Sequence, residues 1–391
     1  MPEKLPPAAA AFANSAAAHA LDFDDTHDLA RLHTTTVVFP AALAMAELCD
    51  RTGAELIDAF VVASELSCRI GLAAKPQGTG PTSHWFMTQL VGYFGAALAA
   101  GLVGGLDDDQ LVSALGIALS QAAGAKQAAV GTGSNLRAIY PAFAASGGVT
   151  AVQLAQSGLV GPPASLEGVA GLWPAFMGAE LSAEVLAELT QLDGWEFDSI
   201  AIKPWPSCRM AHPYIDAVLS LPVVDTLPDD VVIGVNASAH RLCVPEGDRR
   251  RPMTLPDACF SVPFMTAVAI VHRHVDLALL GPEILEDGRV LEVAARVRAE
   301  ITIEDGPGNP AGTVAIATGG RRLEATGSPA PSASPEAIRA KFDDCLSRAG
   351  SADASGSVWR AVGHLASSSV RQFVQDIIAA TSTGAAAHSE Q

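Results

Sequence analysis

Three stretches of this 391-residue chain concentrate the residue types that do chemistry. The densest is Lys203-Pro-Trp-Pro-Ser-Cys208-Arg209-Met-Ala-His212-Pro213. Its two early prolines hold the backbone extended, which presents Lys203 rigidly, and Pro213 suits the first turn of a following helix. Lys203, Arg209 and His212 could together bring three positive charges to a helix start, where free N–H groups already attract anions. The chemistry this predicts is capture of a carboxylate or phosphate. An interdomain hinge stapled by salt bridges would use the same residues. Cys208 offers a thiol beside His212, but the motif holds no third partner to activate it.

The second stretch is His19-Ala-Leu-Asp22-Phe-Asp24-Asp25-Thr26-His27, with His33 close behind. On a helix, His19, Asp22 and Thr26 would share one face. Its three carboxylates repel one another and would oppose the dipole of a helix end, so a cation opposite them is expected. The stretch reads as an active-site wall or as a solvated acidic helix end. Asp and His are also metal-ligand types, but this spacing matches no standard metal motif. The third feature is Arg137, the lone basic residue between Lys126 and Lys203. It follows Gly131-Thr132-Gly133-Ser134, which is not a phosphate loop because no Gly-Lys-Ser/Thr follows. Such an arginine either binds an anion or pairs with a carboxylate, for which Glu65 or an Asp of the second stretch could serve. His84, in a loop leading into an apolar helix, is either a structural histidine or a proton carrier.

These residues need elements to position them. From Ala8 to about Leu189 the sequence reads as successive Ala- and Leu-rich helices broken at Gly and Pro, as in Ala54 to Arg69. Near Ser199 the texture changes. Strand patterns are read in Val231 to Val244, Ala295 to Glu304 and Gly312 to Thr318, with a helix at Val262 to His272. Helical patterns return from Ser334. The predicted fold is mostly α: a large all-helical domain formed by both ends of the chain (residues 1–205 and 331–380), with a smaller α+β lid domain inserted at 206–330. Residues 381–391 read as a disordered tail.

Composition narrows the classes. With 24 Lys+Arg against 42 Asp+Glu the net charge is −18, which argues against nucleic-acid and anionic-membrane partners. A hydrophobic fraction of 49% is far too high for a disordered chain. The apolar run Trp85 to Leu106 contains Gln89 and five glycines and ends on Asp107-Asp108-Asp109, so it reads as a buried helix and not as a membrane span. The six cysteines form no CxxC pair and no zinc spacing. With no secretory signal at the start, they read as reduced thiols in a cytoplasmic protein.

The stretches AAFANSAAAHALDFDDTH, VVFPAALAMAE, GLDDDQLVSALGIALSQAAG, KPWPSCRMAHPYIDA, PDACFSVPF and Lys341-Phe342 keep one order along nearly the whole chain. In them the chain resembles the MmgE/PrpD family, whose members dehydrate 2-methylcitrate, decarboxylate cis-aconitate or epimerise iminodisuccinate. The resemblance implies a large helical domain with an α+β lid, a site between them, a homodimer, and no metal or organic cofactor. It places the site on Asp22, Thr26, His33, His84 and Lys203. A family lysine falls on Arg137, which keeps charge but not an exchangeable proton. The tyrosine of the decarboxylases falls on Phe264. The resemblance also implies further helices before the His19 motif, so a shortened, inactive relative stays among the readings. The expected chemistry is proton transfer next to a carboxylate of a small polycarboxylate. Arg137, Lys203, Arg209 and His212 would hold anions, with Cys208 and Phe264 on the substrate wall. His84 or His33 would carry the proton, Asp22 would orient a neighbour, and Thr26 would bind a carboxylate. Dehydration leads, epimerisation is next, and decarboxylation is third because Phe264 lacks the hydroxyl.

Overall fold

The computed structural model describes residues 4–75, 81–129, 133–191, 193–224, 226–306, 308, 310–329 and 334–385. Seven helices come first: α1 (Pro7–His19), α2 (Thr35–Leu48), α3 (Gly53–Ala73), α4 (Met87–Gly104), α5 (Asp108–Gln121), α6 (Pro141–Gln156) and α7 (Ala183–Thr190). Capping boxes start two of them. Thr52 with Glu55 opens α3, and Asp107 with Gln110 opens α5, so the Asp107–Asp109 run works as a helix start. The helix α4 is long and apolar enough to cross a membrane by length and composition, yet most of it is buried among α2, α3, α5 and α6. Small residues allow that close packing. A Cβ on Gly148 of α6 would sit 2.4 Å from the Ala96 side chain, so only glycine fits there.

The second unit begins with α8 (His212–Ser220), entered with Pro213 in its first turn. It continues through β3 (Asp230–Val235), α9 (Ala237–His240), α10 (Glu246–Arg250), α11 (Leu255–Cys259), α12 (Val262–His272), α13 (Gly288–Arg296), β4 (Val297–Ile301), β5 (Gly312–Thr318) and β6 (Arg321–Gly327). The sheet order is β4-β3-β5-β6, with β3 parallel to β4 and the other pairs antiparallel. The β-rich reading of Val231 to Val244 stops at Val235, because Asn236 turns the chain and caps α9 through its side chain. Three helices close the described chain: α14 (Pro335–Arg348), α15 (Ser355–Gly363) and α16 (Val370–Ala385).

Buried apolar side chains fall into two clusters. One runs from Ala11 to Met177 and takes in Leu365 and Val370 from the C-terminal end. The other runs from Ala211 to Ile316. This is the mostly α arrangement expected, with both ends of the chain in the helical part and an α+β part between. The expected tail needs correction: α16 continues through Ala385, and residues 386–391 lie outside the described residues.

A second correction concerns the acidic stretch, which is not one helix. The helix α1 stops at His19, and Asp22 adopts a left-handed φ of 48°, a conformation Asp tolerates better than most residues. The next residues form β1 (Asp25–His27), fully buried, paired antiparallel with β2 (Ile200–Ile202) so that Thr26 faces Ala201. That short ladder joins the acidic stretch to Lys203, immediately after β2.

Candidate active site

The pairing of β1 with β2 brings Lys203 under the turn that ends α1. Lys203 is fully buried. Its ammonium donates to Asp22 Oδ1, to Asp24 Oδ1 at 3.2 Å and to the Asp22 carbonyl at 3.2 Å. Burial alone would lower the pKa of this lysine, but Asp22 and Asp24 outweigh it and hold the pKa above the usual lysine value. Burial would likewise raise Asp24, yet Lys203, His19 and His33 hold that carboxyl well below its usual range. Asp25, pushed up by burial and by the charge of Asp24, accepts from Thr34 and from the Thr35 backbone N–H. The expected cation opposite the carboxylates is therefore present. It has used all three of its protons on the protein, so Lys203 pairs with the two carboxylates and holds no substrate anion.

Two histidines flank Asp24. His19 Nδ1 is 2.7 Å from Asp24 Oδ2. A carboxylate only accepts, so Nδ1 carries the proton and Nε2 is the nitrogen left for other work. His33 Nδ1 is 2.6 Å from the Asp25 carbonyl, which likewise makes Nδ1 the donor. Burial lowers the His33 pKa below its usual value, so this ring is neutral near pH 7. The ring of Tyr140 stands edge-on to His19 at 5.1 Å and stacks on Phe86 at 4.2 Å, with its phenol pushed up by burial. Lys341, on α14, donates to the carbonyls of Phe23 at 2.6 Å and Lys203 at 2.9 Å, and its Nζ lies 3.6 Å from the centre of the Phe23 ring. The C-terminal helices thereby clamp the backbone on both sides of the network. His19, Asp22 and Asp24 also offer ligand atoms within 4.8 Å of one another, as a metal site would. The position a cation would take between these carboxylates is held by the Lys203 ammonium.

A cavity of about 180 Å³ opens against this network. His19, Asp22 and Arg137 are polar residues of its lining, and Pro206, Cys259 and Phe260 are among the others. Arg137 is 1% exposed and its guanidinium lies 4.7 Å over the Phe260 ring. One of its nitrogens, Nη2, pairs with Asp257, a third outcome beside the Glu65 and acidic-stretch partners expected. Asp257 also accepts from the Gly133 N–H at 2.8 Å and the Thr254 hydroxyl at 2.9 Å, which fixes it. Arg137 Nε and Nη1 have no hydrogen-bond partner among the described residues, and neither does Asp22 Oδ2. A buried guanidinium with two unpartnered N–H donors is complementary to an anion. Gly131 and Thr132, read as part of a loop before Arg137, lie outside the described residues.

Other expected site residues fall elsewhere. Arg209 makes a two-pronged pair with Asp28, at 2.9 and 2.8 Å, and donates to His212 Nδ1 at 3.3 Å. His212 is fully buried, packs edge-on against Trp205, and donates from Nε2 to the Ser207 carbonyl. Burial, with Arg209 and Lys203 adding to it, holds its pKa well below the usual histidine value. The predicted triple-cation corner is corrected on this account: His212 is neutral, Arg209 is neutralised by Asp28, and Lys203 by Asp22 and Asp24. The hinge reading of the same residues describes Arg209 and His212 better. Burial raises the Cys208 thiol to about 11, so it is protonated and inert near neutrality. Phe264 packs in the core of the second unit instead of on the cavity wall, because Ser261 caps α12 through the Phe264 N–H and aims the helix inward. His33 and Thr26 lie behind the cavity wall, and His84 is exposed at the end of a short 3-10 turn.

Of the residues singled out in the sequence, Asp22 and Arg137 line the cavity, and Lys203 and His33 support it from behind. His19 as a proton carrier, Tyr140 and Asp257 were not singled out, and Asp24 was named only as one of the three carboxylates of the acidic stretch. The spacing of His19 five residues before Asp24 is a weak signal. The partnership of Arg137 with Asp257 spans 120 residues and has none.

Known proteins are similar to this chain in sequence. Residues 1–184 match the MmgE/PrpD N-terminal domain and residues 205–362 the MmgE/PrpD C-terminal domain. A cis-aconitate decarboxylase of Aspergillus terreus is 29% identical over 342 residues, covering 80% of this chain and 68% of that protein. The human cis-aconitate decarboxylase is 34% identical over 224 residues, 56% of this chain and 45% of that protein. A cis-aconitate decarboxylase-like protein, oryM of Aspergillus oryzae, is 28% identical over 337 residues, 78% of this chain and 67% of that protein. The chain thus spans about two thirds of these fungal relatives and under half of the human one. With both domain matches falling on the two packed units that enclose the cavity, this chain belongs to the MmgE/PrpD family.

Proposed function

We propose that this chain is a lyase for a small polycarboxylate, and that the carbon beside a carboxylate is where a proton moves. The observation that carries this reading is the cavity between the two units. Its lining holds both Arg137, with N–H donors that have no partner among the described residues, and the His19 and Asp22 side chains of the buried Asp–His–Lys network. Arg137 holds one substrate carboxylate as a fixed charge, since its guanidinium keeps its proton. His19, oriented by Asp24, moves the proton through Nε2. Lys203 helps hold the Asp24 carboxyl below its usual range and pairs with Asp22, without touching the substrate.

Decarboxylation of an unsaturated tricarboxylate such as cis-aconitate is the leading reaction. The bond to one carboxyl carbon breaks, carbon dioxide leaves, and the electron pair stays on the neighbouring carbon. His19 then supplies the proton that carbon takes up. The names of the relatives support this order. So does the burial of Phe264 away from the cavity, because its missing hydroxyl no longer counts against decarboxylation, while Tyr140 brings a phenol beside His19. A second reading, dehydration of a hydroxy-tricarboxylate, is favoured by Asp22 Oδ2, an unpartnered acceptor suited to a substrate hydroxyl.

The test is proton NMR in heavy water with cis-aconitate, methylcitrate, citrate and iminodisuccinate. Carbon dioxide loss from cis-aconitate, with one deuterium entering the product, is expected. Alkene formation from methylcitrate alone would install the second reading. No exchange, bond formation or bond cleavage with any of the four would end the polycarboxylate reading.

A further inference from the structure

A second, much smaller cavity lies where the loop between β1 and α2 meets the second unit. It is about 10 Å³, the size that holds one water or one monatomic ion. Arg31, Asn236 and Ser238 line it, with Tyr214 and Pro310 beside them. Each of the three polar side chains brings one buried atom with no hydrogen-bond partner among the described residues: Arg31 Nε, Asn236 Nδ2 and Ser238 Oγ. Asn236 and Ser238 are 1% and 5% exposed. The orientation of Asn236 is set, because its Oδ1 accepts the Ala239 N–H at 2.8 Å to cap α9. Its amide nitrogen therefore cannot exchange places with its oxygen. Arg31 is held by donating Nη2 to the Gly308 carbonyl at 3.3 Å.

The unmatched atoms are thus two obligate donors and a hydroxyl that can donate. A water there would accept from Arg31 and Asn236 but would need two acceptors of its own. Ser238 Oγ is one, and the Gly308 carbonyl, which accepts one bond from Arg31, keeps a second lone pair for the other, so pairing alone admits a water as well as an anion. An anion accepts from all three. The surrounding charge agrees. Burial first, then the charges of Arg31 and Arg241, bring Lys126 down to about 8, and Arg241 also acts on Arg31. Asp305 is the one carboxylate that Arg31 feels, and its Oδ1 already accepts from the Ser238 N–H at 3.3 Å. Arg31 is the cation that lines the cavity, and the charges of Arg241 and Lys126 act in the same neighbourhood.

We propose that Arg31, Asn236 and Ser238 form a chloride site that latches the helical unit to the second unit. The site joins the His27–His33 turn to the residues that follow β3, so chloride occupancy holds the two units together. It is separate from the carboxylate cavity and does not depend on which reaction occurs there.

The test compares thermal midpoints in sodium chloride and sodium gluconate at equal ionic strength, with a bromide-soaked crystal as the direct readout. Wild-type protein is expected to gain about 2 °C at a chloride concentration ten times the dissociation constant, and to go on rising with the logarithm of chloride above it. Bromide is expected to give an anomalous peak between Arg31 Nε, Asn236 Nδ2 and Ser238 Oγ. Asn236→Asp keeps the α9 cap but replaces the amide donor by a charged oxygen, so both signals are expected to vanish while the protein still folds. Ser238→Ala should weaken the chloride dependence severalfold. Equal midpoints in the two salts with a water at the site would overturn the proposal, as would a chloride shift that survives Asn236→Asp.

Discussion

Two cation clusters flank the start of the second unit, and they differ in how completely they are satisfied. Around Arg209, both prongs of the guanidinium meet Asp28, His212 accepts from it, and Ser207 accepts from His212. Around Arg137, one guanidinium nitrogen meets Asp257 while two others have no partner among the described residues beside a cavity, and Asp22 Oδ2, of the same lining, has none among them either. Both are buried, and both look alike in a list of basic residues. Buried polar groups that are fully matched hold a fold together, whereas buried groups left unmatched beside a cavity await a ligand. Cation density did not locate the site. Incomplete pairing did.

The largest way to break this comparison is to unbalance the network behind the cavity. Lys203→Met leaves Asp22 and Asp24 buried without their countercharge. It is expected to cost about 3–5 kcal/mol in urea or thermal unfolding and to abolish turnover. A variant that keeps near-wild-type stability would mean that Lys203 is not the countercharge these two carboxylates depend on.

The Arg209 cluster should behave differently. Arg209→Met removes a two-pronged pair with a half-buried Asp28 and leaves His212 Nδ1 without its donor. A loss of about 1–3 kcal/mol is expected, with kcat/KM of the folded enzyme within about twofold of wild type. A loss of activity exceeding about tenfold at full folding would return Arg209 to the site.

Acid should reveal the same joint. His212 and His33 both have pKa values lowered below 6.5 in the folded protein, so the unfolded chain binds more protons as pH falls through that value. Their stabilisation is present above pH 6.5 and is lost as the pH falls below it. Thermal midpoints are expected to drop between pH 7.5 and 5.5, and the His212→Gln variant should show a shallower drop. An unchanged slope would mean that His212 is not held neutral by its surroundings.

The smallest expected effect on activity is at Phe264. Phe264→Tyr would place a hydroxyl in the core of the second unit. A cost of about 1–3 kcal/mol is expected, with no gain in decarboxylation. A gain would put this side chain on the substrate wall after all.

Much of the fold was legible in local pattern. The helix α12 was expected at Val262 to His272 and lies there, because Ser261 caps it, Pro263 suits its first turn and Arg273 ends it in a left-handed conformation. The β1–β2 ladder was not legible, because it pairs three-residue strands about 175 positions apart and neither carries a strand signal. At the site, residue types were informative and partnerships were not. Arg137 stood out because basic residues are scarce in its apolar surroundings, and Asp22 and Lys203 because charged residues concentrate around them. Which carboxylate meets which cation depends on tertiary contacts: Asp28 with Arg209 across 181 residues, and Asp257 with Arg137 across 120. That is why Lys203, Arg209 and His212 read as one free corner when each was already matched.

The central claim, that Arg137 and not Arg209 receives the substrate carboxylate, is tested most directly by ligand-dependent stabilisation. Thermal midpoints would be measured with and without saturating cis-aconitate for wild type, Arg137→Met and Arg209→Met. A rise with ligand is expected for wild type and Arg209→Met, and no rise for Arg137→Met. The contradicting result is a rise retained in Arg137→Met and lost in Arg209→Met.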